Sequence, residues 1–356
     1  ASWDFSKEPF YSISWMPSLR LRASYGYMGN VNNLLSGLPT ILYSGTATFT
    51  NLPQAQIQNA PNPNLKWEQV RTINFGLDFS MLNSRLSGSL ELFNKKSTDL
   101  ISQLPFAPTS GLTAYTVNAA SMKGKGFELQ LHSKNTTGAI KWETNFGLSY
   151  AKMIVTKLYN GGYKASDFIA YNINPAVGKV AFGLSSYRWA GLDPVTGDPQ
   201  GYLNKQVSKD YAAIFNDSIQ NQVFHGSAIP LYSGYIGNAV TWKNFTLSAN
   251  ITYRLAYYFR KPTITYYELF GLTNLSADYE QRWQKPGDER TTNVPSMVYP
   301  GNSNRDVFYA GSEINVLRAD NIRLQDIRLQ YNWAPSRTTK MPFNSIQLFA
   351  YVNNLN

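Results

Sequence analysis

Covalent chemistry has little to work with in these 356 residues, which carry two histidines, His132 and His225, and no cysteine. The absence of Cys removes disulfide frameworks, thiolate metal sites and Cys nucleophiles. A Ser-His-Asp hydrolase would need its serine on a sharp strand-to-helix turn, and no G-x-S-x-G elbow occurs. His132 keeps strand phase with Glu128 and Gln130, and His225 lies in a loop beside Phe224 and Gly226. Asp193 and Asp198 in "DPVTGDP" hint at a calcium loop. Such a loop needs carboxylates at alternate positions and a closing bidentate Glu, and Pro194, Val195 and Pro199 break that spacing; a Pro/Gly turn is the better reading. "GKG" at Gly124–Gly126 and "GDE" at Gly287–Glu289 have no phosphate-loop context. The sequence therefore predicts no catalytic residue, no metal and no cofactor.

Binding chemistry is better represented. The stretch Asn160–Tyr171 offers Tyr163 and Tyr171 among amides and charges. The longer stretch Lys261–Tyr309 offers Tyr266, Tyr267, Trp283, Tyr299 and Tyr309 with Arg282 and Asp288. Aromatic faces beside amides and ions suit sugar rings, which present apolar C–H faces and a hydroxyl rim, and they suit a peptide or a protein lid equally. These nine are the candidate substrate-binding residues. The competing reading is that the rings pack the loops together or mark a membrane interface.

The elements that must position these loops follow a period of two. In "INFGLDFSMLNSRLSGSLELF", Ile73, Phe75, Leu77 and Phe79 alternate with Asn74, Gly76, Asp78 and Ser80. After Asn83-Ser84, Leu86, Leu90 and Leu92 alternate with Ser87, Ser89 and Glu91. This is a β-hairpin. The pattern recurs at Leu19–Tyr27, Phe127–His132, Trp142–Tyr150, Phe245–Phe259, Ile327–Trp333 and Ile346–Val352, giving about twelve strands and no convincing helix. Two of them, near Val180–Trp189 and Gln200–Leu203, are placed as strands flanking a turn at "GLDPVTGDPQ".

Many of these strands reach the nine to eleven residues that a tilted strand needs to cross a bilayer. Short turns near Pro17, Asn83-Ser84, Asn135–Gly138, Lys243-Asn244 and Pro335–Pro342 take turns with long stretches at Asn30–Lys66, Ile101–Ala120, Ile154–Lys179, Asn204–Pro230 and Lys261–Glu313. That asymmetry is the pattern of an outer-membrane barrel, with periplasmic turns and extracellular loops. Composition agrees: charged residues are only 15% while aromatics reach 14%, with 24 Tyr and 8 Trp, as expected of a wall with interfacial aromatic belts. Mean hydropathy is −0.31, and no apolar run is long enough for a membrane helix. The net charge of +10 is scattered singly, without the basic block or helix a nucleic-acid binder would use. Arg20, Arg22, Arg254 and Arg328 fall on the polar phase, with Arg323 beside a break in the alternation, and pairing with Asp78, Glu128 or Asp326 across neighbouring strands is expected.

Several segments also resemble SusC/RagA-type TonB-dependent outer-membrane transporters. "NPNLKWEQVRTINFGLDFSMLNSRLSGSLELFNKKSTDLI" is similar to a mid-barrel hairpin of that family. "NAASMKGKGFELQL" with "WETNFGLSYAK" is similar to the next one. "AGLDPVTGDPQGY", "QRWQKPGDERTTNVP" and "VLRADNIRLQDIRLQYNW" then follow in the same order. The resemblance implies an all-β fold: a transmembrane antiparallel barrel of the 22-strand type, of which this chain supplies about twelve strands. Residues 1–356 would form one domain, the C-terminal part of the barrel, incomplete at both ends, with the plug and its TonB box outside this chain. It also implies TonB-dependent import of an oligosaccharide or peptide, a SusD-like lipoprotein lid, contact with outer-membrane lipid, and residence in the cell outer membrane. A passive pore or scaffold, and a soluble secreted carbohydrate-binding β protein, are the alternatives.

Overall fold

A computed structural model describes residues 1–30, 37–105, 109, 112, 114–159, 164–169, 175–271, 276–334 and 345–355. Its main body is one antiparallel sheet of ten strands, each hydrogen-bonded to its neighbours in chain order. These wall strands are β1 (Ser2–Asp4), β2 (Ser18–Asn30), β3 (Glu68–Met81), β4 (Leu86–Pro105), β5 (Ala114–Thr137), β6 (Ile140–Leu158), β7 (Tyr232–Trp242), β8 (Phe245–Leu255), β9 (Asn321–Trp333) and β10 (Ile346–Leu355). All except β1 run for ten residues or more.

Register turns the period-two sequence into two faces. Leu21, Leu77, Leu90, Leu129 and Leu148 stand directly opposite one another across five strands. One position along, Gly76, Glu91, Glu128, Ser149, Ser233 and Arg254 form the corresponding row of the other face. The apolar face is left uncovered: Leu92, Leu247 and Leu348 are exposed. A soluble sheet would bury such a face, whereas a barrel turns it to lipid and keeps the polar face for a wet lumen. A bulge beside Gln325 sharpens this. Asn250 pairs with Asp326 but Ile251 pairs with Leu324, so the apolar phase passes from Ile327 and Leu329 to Leu324 and Ile322 without changing face. Arg323 thereby joins the polar face, where it bonds Asn354.

Four of the polar-face arginines, Arg20, Arg22, Arg323 and Arg328, are partnered, though not all as expected. Arg22 holds Asp78 at 2.9 Å and Glu91 at 3.4 Å, and Arg20 holds Asp4 at 2.5 Å. Asp326 instead accepts from Asn250 at 2.9 Å, and the Arg328 guanidinium lies over Phe349 at 4.7 Å. Among the described residues no arginine pairs with Glu128. His132 bonds Asn145 at 2.8 Å on the same face.

Connections sort by end. Leu82, Asn83 and Ser84, all at positive φ, close β3–β4, and Lys243 at φ 51° closes β7–β8. The long connections lie at the other end. Two expectations change there. Ile101–Ala120 is mostly paired strand, with Ile101 opposite Asn118 and Leu104 opposite Tyr115, because β4 and β5 continue well past the apolar band. Val180–Trp189 and Gln200–Leu203 are not wall strands. Gly183–Ser186 pairs with Val223–Ser227, and Gly191–Leu192 with Pro199–Leu203. These pieces are short, with Gly183–Ser186 buried throughout, and a four-residue strand cannot span a bilayer.

Candidate functional site

The described residues of two of the long connections, 159–231 between β6 and β7 and 256–320 between β8 and β9, fold against each other into a head at one end of the wall. Each is built from short elements: α1 (Ala165–Ile169), α2 (Tyr211–Asn216), α3 (Tyr266–Phe270) and α4 (Ser303–Ala310). Caps start two of them, since Asp210 accepts from Ala213 N–H at 3.0 Å and Asn302 from Arg305 N–H at 3.2 Å. Helices this short are not stable alone; what fixes them is a shared core. Ala165, Ile169, Tyr187, Tyr211 and Ile214 from the first connection close around Phe308 of the second. Ile264, Tyr266, Val294 and Tyr309 form an adjoining cluster, and Trp189 packs against both.

A polar staple joins the two connections. Buried Arg305 gives Nε to Asp198 at 2.7 Å and Nη2 to the Ser296 carbonyl at 2.8 Å and hydroxyl at 3.0 Å. Ser296 also donates to the Thr196 carbonyl at 2.7 Å. Gly197, at φ 68°, lies under the Trp283 ring, so close that a Cβ there would come within 2.4 Å of it. The carboxylates of "DPVTGDP" are thus committed to the turn. Asp193 accepts from Val195 and Thr196 N–H at 2.8 and 3.1 Å and takes Lys209 Nζ at 2.7 Å. That lysine contact and the N–H donors hold the Asp193 carboxyl below its ordinary value. Among the described residues no group of three or more His, Asp or Glu is placed to hold a metal ion.

The nine sequence candidates separate by position. Tyr163 and Tyr171 lie outside the described residues. Tyr266, Tyr309 and Trp283 are 1%, 2% and 8% exposed. They are core residues of the head and present no ring face outward, for a physical reason: a connection of this length can be ordered only by burying its own large rings. Burial pushes the Tyr266 and Tyr309 hydroxyls above their ordinary range, and Tyr266 donates to the Pro295 carbonyl at 2.6 Å. Arg282 stacks on Tyr279 at 4.0 Å and donates to its carbonyl. Asp288 accepts from Gln284 and Lys285 N–H, both at 3.0 Å. Tyr267 and Tyr299 alone of the described seven keep exposed rings, with Tyr299 edge-on to Phe270 at 5.0 Å.

A polar cleft of about 650 Å³ opens in the first connection, lined by Arg188, Tyr202, Asn204, Lys205, Asp217, Gln220 and Asn221. Asn204 and Lys205, both at positive φ, make the two-residue turn of the Pro199–Ser208 hairpin and carry their side chains to the cleft edge. Arg188 Nε donates to the Asn221 carbonyl at 2.7 Å, and Asn221 donates to Asp217 at 2.9 Å. Gln220 is shared with a second cleft of about 570 Å³ that Lys179, Ser185, Gln222 and Phe224 also line. Amides, two cations and a tyrosine can bind a polar ligand by many hydrogen bonds but do no covalent work. None of these residues was singled out by sequence reasoning, which weighted aromatics; the amide-rich run "NDSIQNQ" was the available signal.

The family model described as "TonB dependent receptor-like, beta-barrel" matches residues 3–355. The TonB-dependent receptor P39 of Formosa agariphila is 24% identical over 409 residues, covering 99% of this chain and 38% of that protein. The TonB-dependent receptor SusC of Bacteroides thetaiotaomicron is 27% identical over 203 residues, covering 52% of this chain and 20% of that protein. Among solved structures, the RagAB peptide transporter matches with a TM-score of 0.77 at 21% identity, covering all of this chain and 38% of that one. The chain therefore spans well under half the length of the proteins it matches.

Proposed function

The chain belongs to the TonB-dependent receptor β-barrel family, and from that premise we propose that it is the wall and ligand-gathering head of an outer-membrane importer of an oligosaccharide or peptide. The whole receptor would be energised by TonB through a plug carried elsewhere in the protein, and a SusD-like lipoprotein would close over the head.

The observation that carries this reading is the head itself. Two long connections from one end of the sheet are stapled into a packed unit by Arg305 and Trp283 and hold open a polar cleft. A structural wall needs no such investment at one end only. Ligand would be gathered by the hydrogen-bonding groups of Tyr202, Lys205 and Gln220, while exposed Tyr267 and Tyr299 offer ring faces to a sugar, a peptide or the lid. Passage would follow the polar face, whose charges stay hydrated or paired, as Arg22 is with Asp78 and Glu91. The protein contributes differential binding between open and closed states and forms no bond with its cargo.

The test is uptake of labelled oligosaccharides and peptides by cells carrying the full receptor, with and without TonB. Import that stops without TonB, and ligand binding that weakens about tenfold in a Tyr202→Ala/Lys205→Ala variant, supports the reading. TonB-independent diffusion would sink it in favour of a passive pore.

A further inference from the structure

Five cations stand on the apolar face of the wall, at its long-connection edge. Arg71 on β3 is directly opposite Lys96 on β4, and Lys96 directly opposite Lys123 on β5. One row nearer the wall's centre, Lys125 on β5 is directly opposite Lys152 on β6. Alternation puts all five on the face that carries Leu77, Leu92, Phe127 and Leu148, since each lies an even number of residues from one of them. The same two rows hold Tyr25, Tyr27, Ile73, Asn94 and Ile154, and no Asp or Glu. Among the described residues none of the five is ion-paired.

Like charges directly opposite on a sheet, with Cβ atoms about 5 Å apart, are destabilising. Three such pairs side by side, with no carboxylate to relieve them, make a surface that an anion would complete. The polar face is built the other way, with Arg22 between Asp78 and Glu91. Position identifies the anion. Trp142 marks the short-turn edge of the apolar band and Lys152 lies ten positions further along β6, about 33 Å of strand. At barrel tilt that is about 25 Å of depth, the height of the lipid-facing band. The cations therefore stand at headgroup level, beside the interfacial Tyr25 and Tyr27. Below Arg71 and Lys96, on the β1–β4 side of the patch, an apolar groove of about 550 Å³ is lined by Trp3, Leu21, Ala23, Phe75, Leu77 and Leu92.

We propose that this face binds a membrane lipid carrying more than one phosphate group, its phosphates on Arg71, Lys96, Lys123, Lys125 and Lys152 and its acyl chains along the groove. An acidic protein partner would satisfy the cations but not the groove beneath them. The site rests on the outer-membrane reading above, and would seat the wall at a fixed depth in the outer leaflet.

The test uses the full receptor, purified in detergent and titrated by native mass spectrometry with a bis-phosphorylated lipid A, its dephosphorylated form, phosphatidylcholine and inorganic phosphate. The expected result is selective retention of the bis-phosphorylated lipid, with affinity falling about 100-fold in Lys96→Gln/Lys123→Gln/Lys125→Gln, near fivefold per cation. Equal retention of the dephosphorylated lipid by the native receptor overturns the proposal, whether or not the triple variant folds. So does unchanged affinity in a variant whose heat-modifiable gel mobility is normal, or binding of inorganic phosphate as tight as that of the lipid. A receptor that fails to enter bilayers at all overturns the outer-membrane reading together with this site, whereas one that inserts without phosphate preference overturns this site alone.

Discussion

In the wall, Leu92 and Leu247 stand on an apolar face with about half their surface uncovered (49% and 51%), whereas in the head Phe308, Tyr187 and Tyr266 are enclosed at 1% or less. Most of the chain's fully buried large side chains belong to the two connections, and few to the ten strands that carry them. A soluble protein concentrates its core in its regular elements and leaves loops on the surface. Here the regular elements leave their apolar side uncovered, and the loops must supply their own core. The head is accordingly a small globular unit held by packing and buried hydrogen bonds, and the wall a sheet held by backbone ladders and its surroundings.

The strongest way to break this comparison is to place one charge on each face of the wall at the same depth. Leu129 lies in the central leucine row and Gln130 on the opposite face, paired with Ser89 and Gly147. Leu129→Lys should destabilise the folded barrel by about 2–4 kcal/mol, and Gln130→Lys by less than about 0.5 kcal/mol. Urea titration in lipid vesicles reads both. Equal costs would mean that the apolar face does not meet lipid.

Next in size is the staple of the head. Arg305→Met removes the partner of Asp198 and leaves the Ser296 carbonyl without its donor. A buried charge pair broken from one side costs about 3 kcal/mol, here offset in part by Lys209, which lies 3.5 Å from Asp198. Limited proteolysis should then cut between residues 190 and 215 while the wall keeps its heat-modifiable mobility. Loss of both together would show that head and wall are one cooperative unit. Gly197→Ala is the milder version. The new methyl would meet the Trp283 ring at a backbone position with φ 68°, costing about 1–2 kcal/mol. The readout is a shift in tryptophan emission, absent from a Gly287→Ala control, where φ is also positive but nothing lies near the added carbon.

How much of this was legible in the sequence divides along the same line. The wall was readable because a two-residue period maps directly onto two faces, so Leu77 and Asp78 declare their sides without any knowledge of the neighbours. Even the uncertain phase of Arg323 needed only one bulge to settle it. The head was not readable. Tyr266 and Trp283 look like ligand-facing aromatics in a list of loop residues, and only tertiary contact with Val294 and Gly197 shows them to be core. Irregular backbone has no period, so burial there depends on partners more than a hundred positions away, as with Arg305 and Asp198. The motifs "AGLDPVTGDPQGY" and "QRWQKPGDERTTNVP" were recognisable as strings, and their mutual packing was not. The cleft was missed for the opposite reason: Gln220 and Asn221 are ordinary surface residues until the fold brings Arg188 and Tyr202 beside them.

The smallest predicted effect separates head from wall by pH. His225 lies in the Val223–Ser227 strand, which pairs with Gly183–Ser186. Its ring packs near Tyr258 at 6.0 Å, and its Nε2 has no hydrogen-bond partner. Burial lowers its pKa below the ordinary 6.5, nearby Glu313 opposing and Arg260 reinforcing that shift. A group whose folded pKa is depressed supplies stability above its unfolded value and loses it as pH falls through the folded one. The head should therefore open more readily below about pH 6.5, the ordinary histidine value, while the wall is unaffected. Asp306 works in the opposite sense. Burial raises its pKa above the ordinary 3.8 despite the bond from Tyr267 N–H, so its contribution is present at low pH and lost as pH rises through the folded value. Hydrogen exchange at Val223–Ser227, measured from neutral to mildly acid pH, isolates the histidine. The excess opening should be several-fold in the native chain and vanish in His225→Phe, which keeps the ring and removes the proton site. An identical pH profile in the two proteins would assign the opening to other groups.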